Sequence, residues 1–512
     1  MSLSNSKKAV YAKGLINLKD FPRGEIIKVD GHKEYYSVPE EVEVLTVWNG
    51  EIKWVKPESY SIHKNLNMLS VKTHRGNTIE CSDDHSLVTI DENLNYKRAN
   101  PCNGMVMPKL RNAVNNYVSN RNYMYILKDN NNIFNLNHDL GYLFGIMVGD
   151  GWVNKDIKHK GIMLANNNMN IANKITEIMK GYGYNGNLYT ISNEHDFDGF
   201  KCHSTKHTWC FSPIENLLRK YIGIGAFNKK LPSFWTKTTA KFRWGLLAGL
   251  IDTDGTIKNI RDNYALSYCT VSEELAYDII ALGNSLGVNV GMTILQRRHK
   301  TTKEYYLSFR VKDNIKFKKH LKLLIKEKYD KIQQSKDIKE DLLDLLPTIT
   351  VDKIKELRSY LTYDTDKLNY GRISDSLRRS LSHGIGCNLV RSHYIEIYNK
   401  YQEQLSKSKF WNKLYKIALD KKIEWEVIKE VKPLPEITEA YDLTTPPHCT
   451  FVLQNGIVVY DTTSLNIIYT DEAIKEIDKF LDSPTAYTTP TGSIAYSQNS
   501  DVVDLVMKSL TE

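Results

Sequence analysis

Two aspartates carry the strongest chemical signal in this chain. Asp150 and Asp254 each follow an apolar segment and precede a glycine, and they stand 104 residues apart. Leu140-Gly-Tyr-Leu-Phe-Gly-Ile-Met-Val-Gly-Asp-Gly-Trp-Val153 is mirrored at that one offset by Trp244-Gly-Leu-Leu-Ala-Gly-Leu-Ile-Asp-Thr-Asp-Gly-Thr-Ile257. Gly141 thus pairs with Gly245, Gly145 with Gly249 and, further on, Gly183 with Gly287. Two carboxylates held together repel each other, and a hard divalent cation such as Mg²⁺ neutralises them while keeping waters and phosphate oxygens in its shell. That combination serves phosphodiester hydrolysis, which needs a metal-activated water, a clamp on the charge of the in-line transition state and often a lysine near the nucleophile.

The elements that must position these acids follow from helical spacing. Residues four apart share one face of a helix, so Gly141/Gly145 and Gly245/Gly249 allow two backbones to approach closely. Two helices packed face to face about a pseudo-twofold axis are expected, with Asp150 and Asp254 side by side at their C-terminal ends, where the helix dipoles add to the repulsion. Gly151 and Gly255 suit a helix stop in the left-handed conformation. Strand-like runs follow each copy, and Ser204-Thr-Lys-His-Thr-Trp209 resembles Thr301-Thr-Lys-Glu-Tyr-Tyr306. Only two copies occur, so the unit is a duplicated α/β module and not an array.

Composition bounds the rest. The 512 residues suffice for two to four domains, and 41% apolar with 25% charged residues is a globular balance. A formal charge of +9 permits nucleic-acid binding without demanding it. No apolar run approaches the roughly 20 residues of a membrane span, and Met-Ser-Leu-Ser-Asn-Ser-Lys-Lys lacks the apolar region of a signal peptide, so an intracellular protein with no membrane partner is expected. The seven cysteines show no C-x-x-C spacing, which fits a reducing compartment and speaks against a zinc ribbon or a disulfide framework.

The repeated segments resemble the signature motifs of LAGLIDADG homing endonucleases. Leu247-Ala-Gly-Leu-Ile-Asp-Thr-Asp-Gly255 departs from the family string at one position, and Leu143-Phe-Gly-Ile-Met-Val-Gly-Asp-Gly151 keeps the second Gly and the final Asp-Gly. The resemblance implies that the acid before the last Gly binds the catalytic metal, Mg²⁺ or Mn²⁺, which here means Asp150 and Asp254. Asp252 falls on the variable partner position and is not expected to be catalytic. Phe227-Asn-Lys-Lys-Leu-Pro-Ser-Phe234 is similar to the family's block with a Lys before an apolar-Pro pair, which nominates Lys230, with Lys229 next. In the second half Lys331 is the positional candidate. The basic run Lys312-Asp-Asn-Ile-Lys-Phe-Lys-Lys-His320 reads as a solvated face.

The flanks resemble a different family. Glu41-Val-Glu-Val-Leu-Thr-Val-Trp-Asn-Gly50 reads as a strand and an Asn-Gly hairpin turn, and alternating strands follow over residues 69–88. Residues 440–459 again read as strand, loop, hairpin and strand. These pieces are similar to the splicing blocks of an intein, the horseshoe-shaped Hint fold. The resemblance implies that His85, with Ser82 three residues before it, strains the first splice junction and protonates its leaving amide. It matches Asp442 and His448 to the later acid and histidine, Tyr460-Asp461 to the C-terminal junction, and Thr462 to the downstream nucleophile. Two departures stand out: no Cys, Ser or Thr lies just ahead of the first strand near Gly14, and Tyr460-Asp461 replaces the family's His-Asn, whose amide cyclises.

The expected architecture is therefore multidomain: an all-β Hint splicing domain interrupted by a duplicated α/β LAGLIDADG endonuclease domain with pseudo-twofold symmetry. The expected parts are an N-extein remnant over 1–10, the Hint domain over 11–130 and 426–461, the endonuclease over 135–345, and a C-extein remnant over 462–512. Residues 346–425, with short basic helices, are a connector or an accessory DNA-binding segment. The resemblance implies metal-dependent double-strand cleavage of a long, asymmetric DNA site by a monomeric endonuclease, with autocatalytic protein splicing as the second activity. The alternative is a self-splicing intein whose LAGLIDADG part holds DNA or RNA, maturase-like, without cutting.

Overall fold

The computed structural model describes residues 8–11, 14–83, 87–113, 123–153, 161–197, 200–260, 262–296, 302–338, 341–360, 377, 379–461, 486–488 and 494–496. Residues 463–512 form a unit of their own, in which Ala486–Thr488 pairs antiparallel with Ile494–Tyr496. No helix among the described residues is long and apolar enough to cross a membrane.

Alternating apolar residues at the two ends of the larger unit build one β framework. The strand Ser59–Thr73 pairs antiparallel with Ile423–Thr444, in a register that sets Ser61 opposite Asp442 and Thr73 opposite Ile428. Lys33–Ser37, Ile26–Asp30 and Thr78–Ser82 extend this sheet beside Ser59–Thr73, and Val106–Leu110 adds to the far side of Ile423–Thr444. A second sheet interleaves the ends of the chain again, with Leu87–Ile90 between Tyr96–Ala99 and Val458–Tyr460. The Asn-Gly turn is present: Asn49 and Gly50 take φ of 49° and 83° between Val44–Trp48 and Glu51–Val55, the backbone a two-residue hairpin requires. Tyr60, Val71, Ile79, Leu87, Met107, Tyr441, Phe451 and Val459 share its core.

Between these pieces lies the duplicated module. Helices α1 (His138–Gly149), α2 (Met169–Lys180) and α3 (Ser212–Tyr221) accompany a four-stranded antiparallel sheet in the order Gly151–Val153, Ile162–Ala165, Phe200–Trp209, Tyr189–Phe197. Helices α4 (Ala240–Thr253), α5 (Glu273–Ser285), α6 (Asn314–His320) and α7 (Lys326–Gln334) accompany a second sheet with the same order: Gly255–Ile260, Asn263–Thr270, Lys303–Phe309, Val290–Gln296. Helices α1 and α4 are apolar on nearly every face, and both lie at the centre of one shared core.

The stretch after the module has a core of its own. Strands Leu345–Ile349 and Cys387–Val390 pair antiparallel, and Trp411, Tyr394, Leu357 and Ile354 pack beneath helices α8 (Val351–Tyr360), α9 (Arg391–Lys400) and α10 (Lys409–Leu419). Short helices were expected within 346–425, and α8, α9 and α10 lie there.

A candidate active site at the seam of the two central helices

The four predicted glycines make the seam between α1 and α4. A Cβ on Gly141 would meet the Phe242 carbonyl oxygen at 2.2 Å, and one on Gly145 would meet that of Leu246 at 2.2 Å. In return, a Cβ on Gly245 would meet the His138 oxygen at 2.1 Å and one on Gly249 the Tyr142 oxygen at 2.3 Å. Moving along the chain by the repeat offset converts one set of contacts into the other, which is pseudo-twofold packing. The seam runs to the helix ends, where a Cβ on Gly149 would strike the Thr253 side chain. Asp150 and Asp254 are the next residues, each the C-cap of its helix.

Gly151 and Gly255 correct one expectation. Neither adopts a left-handed backbone; each begins a strand that folds back over its own helix. A Cβ there would fall 2.7 Å from the Met147 Cα and 2.5 Å from the Ile251 oxygen, so close approach excludes a side chain.

Both acids are held by a neutral donor. Asn166 Nδ2 donates to Asp150 Oδ2 at 2.7 Å, and the Tyr268 hydroxyl donates to Asp254 Oδ2 at 3.2 Å. Asp150 is half-buried; loss of hydration pushes its carboxyl up to about 6 against the pull of Asn166, and the negative charge of Asp254 adds to the rise. Asp254 reaches solvent at the mouth of the site, yet partial desolvation still raises it, opposed by Tyr268, Lys229 and Lys328.

A lysine closes each helix end. Lys229 Nζ donates to the carbonyl oxygens of Met147 (2.9 Å), Gly149 (3.2 Å) and Gly151 (2.5 Å). Lys328 Nζ donates to those of Ile251 (2.7 Å), Asp252 (3.0 Å) and Thr253 (3.2 Å). All but that of Gly151, which begins the next strand, belong to the last turns of the helices, where carbonyls lack helical partners and an ammonium also suits the dipole. Burial pulls Lys229 down to about 8, with Asp254 and Asp150 resisting; it lowers Lys328 too, against the nearby carboxylates.

The structure therefore puts neighbours in place of the two lysines nominated from sequence. The Lys230 backbone N–H binds the Ile222 oxygen, and it is Lys229 whose side chain takes the helix end. Lys331 pairs with Glu327 at 2.6 Å one turn along α7, and Lys328 lies against α4. In a lysine-rich helix, spacing could not single out Lys328, because the choice depends on which face of α7 meets the other helix. Asn166 and Tyr268 carried no sequence signal, since their role exists only through sheet register. The run 312–320 is largely paired within the fold, Lys312 with Asp341 and Lys318 with Asp337.

The residues matched to splicing are spread over the β framework, Ser82 opposite Met68 and Asp442 opposite Ser61. Ser82 is buried at the end of its strand; His85 and Thr462 lie outside the described residues. Asp442 is buried, and loss of hydration pushes its carboxyl up to about 7, with nearby Asp461 adding to the rise. Asp461, also buried, accepts the Thr445 N–H at 2.9 Å and donates its own N–H to the Cys449 oxygen at 2.6 Å. His448 stacks on Trp48 at 6.1 Å, and Trp48 also packs against Tyr460 at 6.3 Å. Burial raises the Tyr460 hydroxyl to about 12. Cys449, given no role from sequence, sits among these groups with φ of 52°, its thiol pushed up to about 11 by burial and then by Asp461.

Comparisons with known proteins give the following. Residues 137–206 and 241–322 match the family described as a LAGLIDADG-like domain, and both repeats fall within that match. A DNA-directed RNA polymerase subunit Rpo1C of Methanocaldococcus jannaschii is 22% identical over 466 residues; the alignment covers 84% of this chain, which spans about half (51%) of that subunit's length. A crystal structure of I-DmoI in complex with DNA and Ca is similar at 15% identity and a TM-score of 0.26, over 37% of this chain and 91% of that one. An intein from a hyperthermophile is similar at 10% identity and a TM-score of 0.19, over 21% and 71% of the two chains.

Proposed function

We propose that this chain, an intein-like β framework carrying a LAGLIDADG-like domain, makes a site-specific double-strand break in DNA, with Mg²⁺ or Mn²⁺ as cofactor. The observation that carries this reading is the pair Asp150 and Asp254 at the end of the glycine seam, each beside a lysine-capped helix terminus. Among the described residues no three His, Cys, Asp or Glu side chains cluster as ligands, so a closed zinc site has no donors here. Two carboxylates among oxygen donors fit a hard cation whose shell is completed by water and phosphate oxygens. When bound, such a metal supplies an activated water and neutralises phosphate charge.

The chain's own groups do the rest. Asp150 and Asp254 would hold the metal, with Asn166 and Tyr268 fixing the carboxylate rotamers. Lys229 and Lys328 keep positive charge at the helix ends, where a cleaved phosphate gains negative charge. Both acids lie on one chain, so a monomer cuts both strands of a long, asymmetric site inside the cell. The two sheets read base edges in the major groove, while lysines on phosphates make binding steeply salt-dependent. In this reading residues 135–345 cut, 11–130 and 426–461 form the splicing framework, 346–425 adds DNA contacts, and 1–10 and 462–512 are host-protein remnants.

The test uses duplexes selected for cleavage from a randomised library. Asp150→Asn and Asp254→Asn should each abolish double-strand cutting while gel-shift affinity stays within a few fold. Unchanged cutting by both variants refutes the assignment.

A second reading adds autoprocessing at the bond after Asp461, favoured by that residue's complete burial beside Asp442 and Cys449. Incubated with thiol, the 59.0 kDa chain should then shorten by a cut near residue 461 or residue 10, and His85→Ala should prevent it. A constant mass refutes it.

A further inference from the structure

Asp252 lies in the repeat motif but points away from the metal-site acids. It is 1% exposed, and its carboxylate collects three donors: the Tyr142 hydroxyl at 2.8 Å, the Leu324 N–H at 2.8 Å and the Ile325 N–H at 3.3 Å. Tyr142 belongs to α1, and Leu324 and Ile325 form the entry to α7. Ile325 is the N-cap of α7 and offers no side-chain oxygen to the first-turn N–H groups. A carboxylate from α4 instead binds the two N–H groups just ahead of the first turn, a favourable charge at the positive end of the helix. Lys328 sits one turn inside α7, so the same contact sets where its Nζ meets the end of α4.

The first repeat has no such device. The residue equivalent to Asp252 is Val148, a buried apolar side chain. Lys229 is anchored from the opposite half of the module: Ser272 Oγ donates to the Lys229 oxygen at 2.6 Å, and Asp278 accepts the Leu231 N–H at 3.1 Å. The two lysines thus occupy equivalent places through unrelated supports.

We infer that Asp252 is a positioning residue for Lys328 alone, so that the two halves of the site can be uncoupled and the nuclease converted into a strand-selective nickase. This rests on the nuclease reading for its catalytic consequence, but not for its structural one. Asp252→Asn keeps the volume while placing an amide where three donors need an acceptor, so the entry of α7 loosens and Lys328 leaves the α4 carbonyls. Lys229, Asp150 and Asn166 are untouched.

Two measurements on the full chain test this. First, brief acetylation of surface amines, read by peptide mass spectrometry, should find Lys328 protected relative to Lys331 on the same helix. In Asp252→Asn, Lys328 should label several-fold faster while Lys229 keeps its wild-type rate. Tyr142→Phe, which removes one donor and leaves the fold's apolar contacts, should move Lys328 in the same direction by less, and it carries the test if Asp252→Asn does not fold. Second, on end-labelled duplex from the selected library, Asp252→Asn should slow one strand's cleavage roughly 10- to 100-fold, the scale of a displaced catalytic group, and leave the other near wild type. Unchanged Lys328 labelling, equal exposure of both lysines, or equal slowing of both strands overturns the inference. If the wild-type chain cuts no DNA, the nuclease reading and the nickase fall together, whereas the labelling still decides whether Asp252 holds Lys328.

Discussion

Replacing Gly145 by alanine should both destabilise the module and disable its site, because the added methyl meets only backbone. Its Cβ would stand 2.2 Å from the Leu246 oxygen and 2.9 Å from both the Gly249 Cα and the Leu250 nitrogen. None of these atoms can swing aside. To restore an ordinary contact of 3.4 Å the helices must part by more than 1 Å at the middle of the seam. A gap of that size forfeits about a quarter to a half of each contact's attraction along the interface. Overpacking of this kind costs about 1–3 kcal/mol and lies at the upper end where only backbone can yield. Alanine's better helix propensity returns about 1 kcal/mol. The expected net loss is about 2 kcal/mol, or a fall of roughly 4–8 °C in Tm for a module of this size. The same parting displaces Asp150 from Asp254, and a misplacement near 1 Å costs about 100-fold in rate. Thermal unfolding and a cleavage assay read the two effects. Gly384→Ala is the control: its φ is 62° and nothing lies within 4 Å of the new Cβ, so it should lose only the roughly 1–2 kcal/mol of a left-handed alanine and cut normally. A Gly145→Ala protein that melts and cuts like wild type refutes the close-packed seam.

Other outcomes follow from buried charge. Glu424 lies among Arg111 (2.6 Å), Arg75 (3.0 Å) and Lys109 (3.8 Å). Burial alone would raise its carboxyl, but these cations outweigh burial and hold it down to about 2. Its contribution is therefore present above about pH 4.5 and lost as pH falls toward 2; Glu424→Gln should lose about 3–5 kcal/mol in urea unfolding at pH 7, with a smaller difference at pH 3. Asp150 has the opposite sign. Its folded value near 6 exceeds the ordinary 3.8, so the native state holds the extra proton and stability falls as pH rises through that window. Without added divalent metal, Asp150→Asn should be about 1–2 kcal/mol more stable than wild type at pH 7.5, after allowing for partial solvation, and no more stable at pH 4. Trp411→Ala empties the centre of the core beneath α8 to α10 and should cost about 3–5 kcal/mol. Hydrogen exchange should speed up over 345–419 while α1 and α4 stay protected; uniform loss of protection would mean that these cores are one cooperative unit.

What could be read from the chain alone was whatever depends on local periodicity. Glycines four apart share a helix face whatever else the chain does, so the seam, the doubled module and the acids at its end were visible in the order of residues. The Asn49-Gly50 hairpin was visible for the same reason, since the turn's backbone is a property of those two residues. The identity of the partners was not. Lys328 outranks Lys331 only because one face of α7 meets α4, and Asp252 holds the entry of α7 only because that helix, 74 residues onward, begins beside it. Gly151 and Gly255 looked like left-handed stops, yet it is their nearness to Met147 and Ile251 that forbids a side chain. Glu424 is one charge among many in the sequence until folding sets it beside Arg75, 349 residues away. A residue's type and spacing determine which face it occupies, but the desolvation and the neighbours that give it a pKa, a hydrogen bond or a role exist only once distant segments have packed.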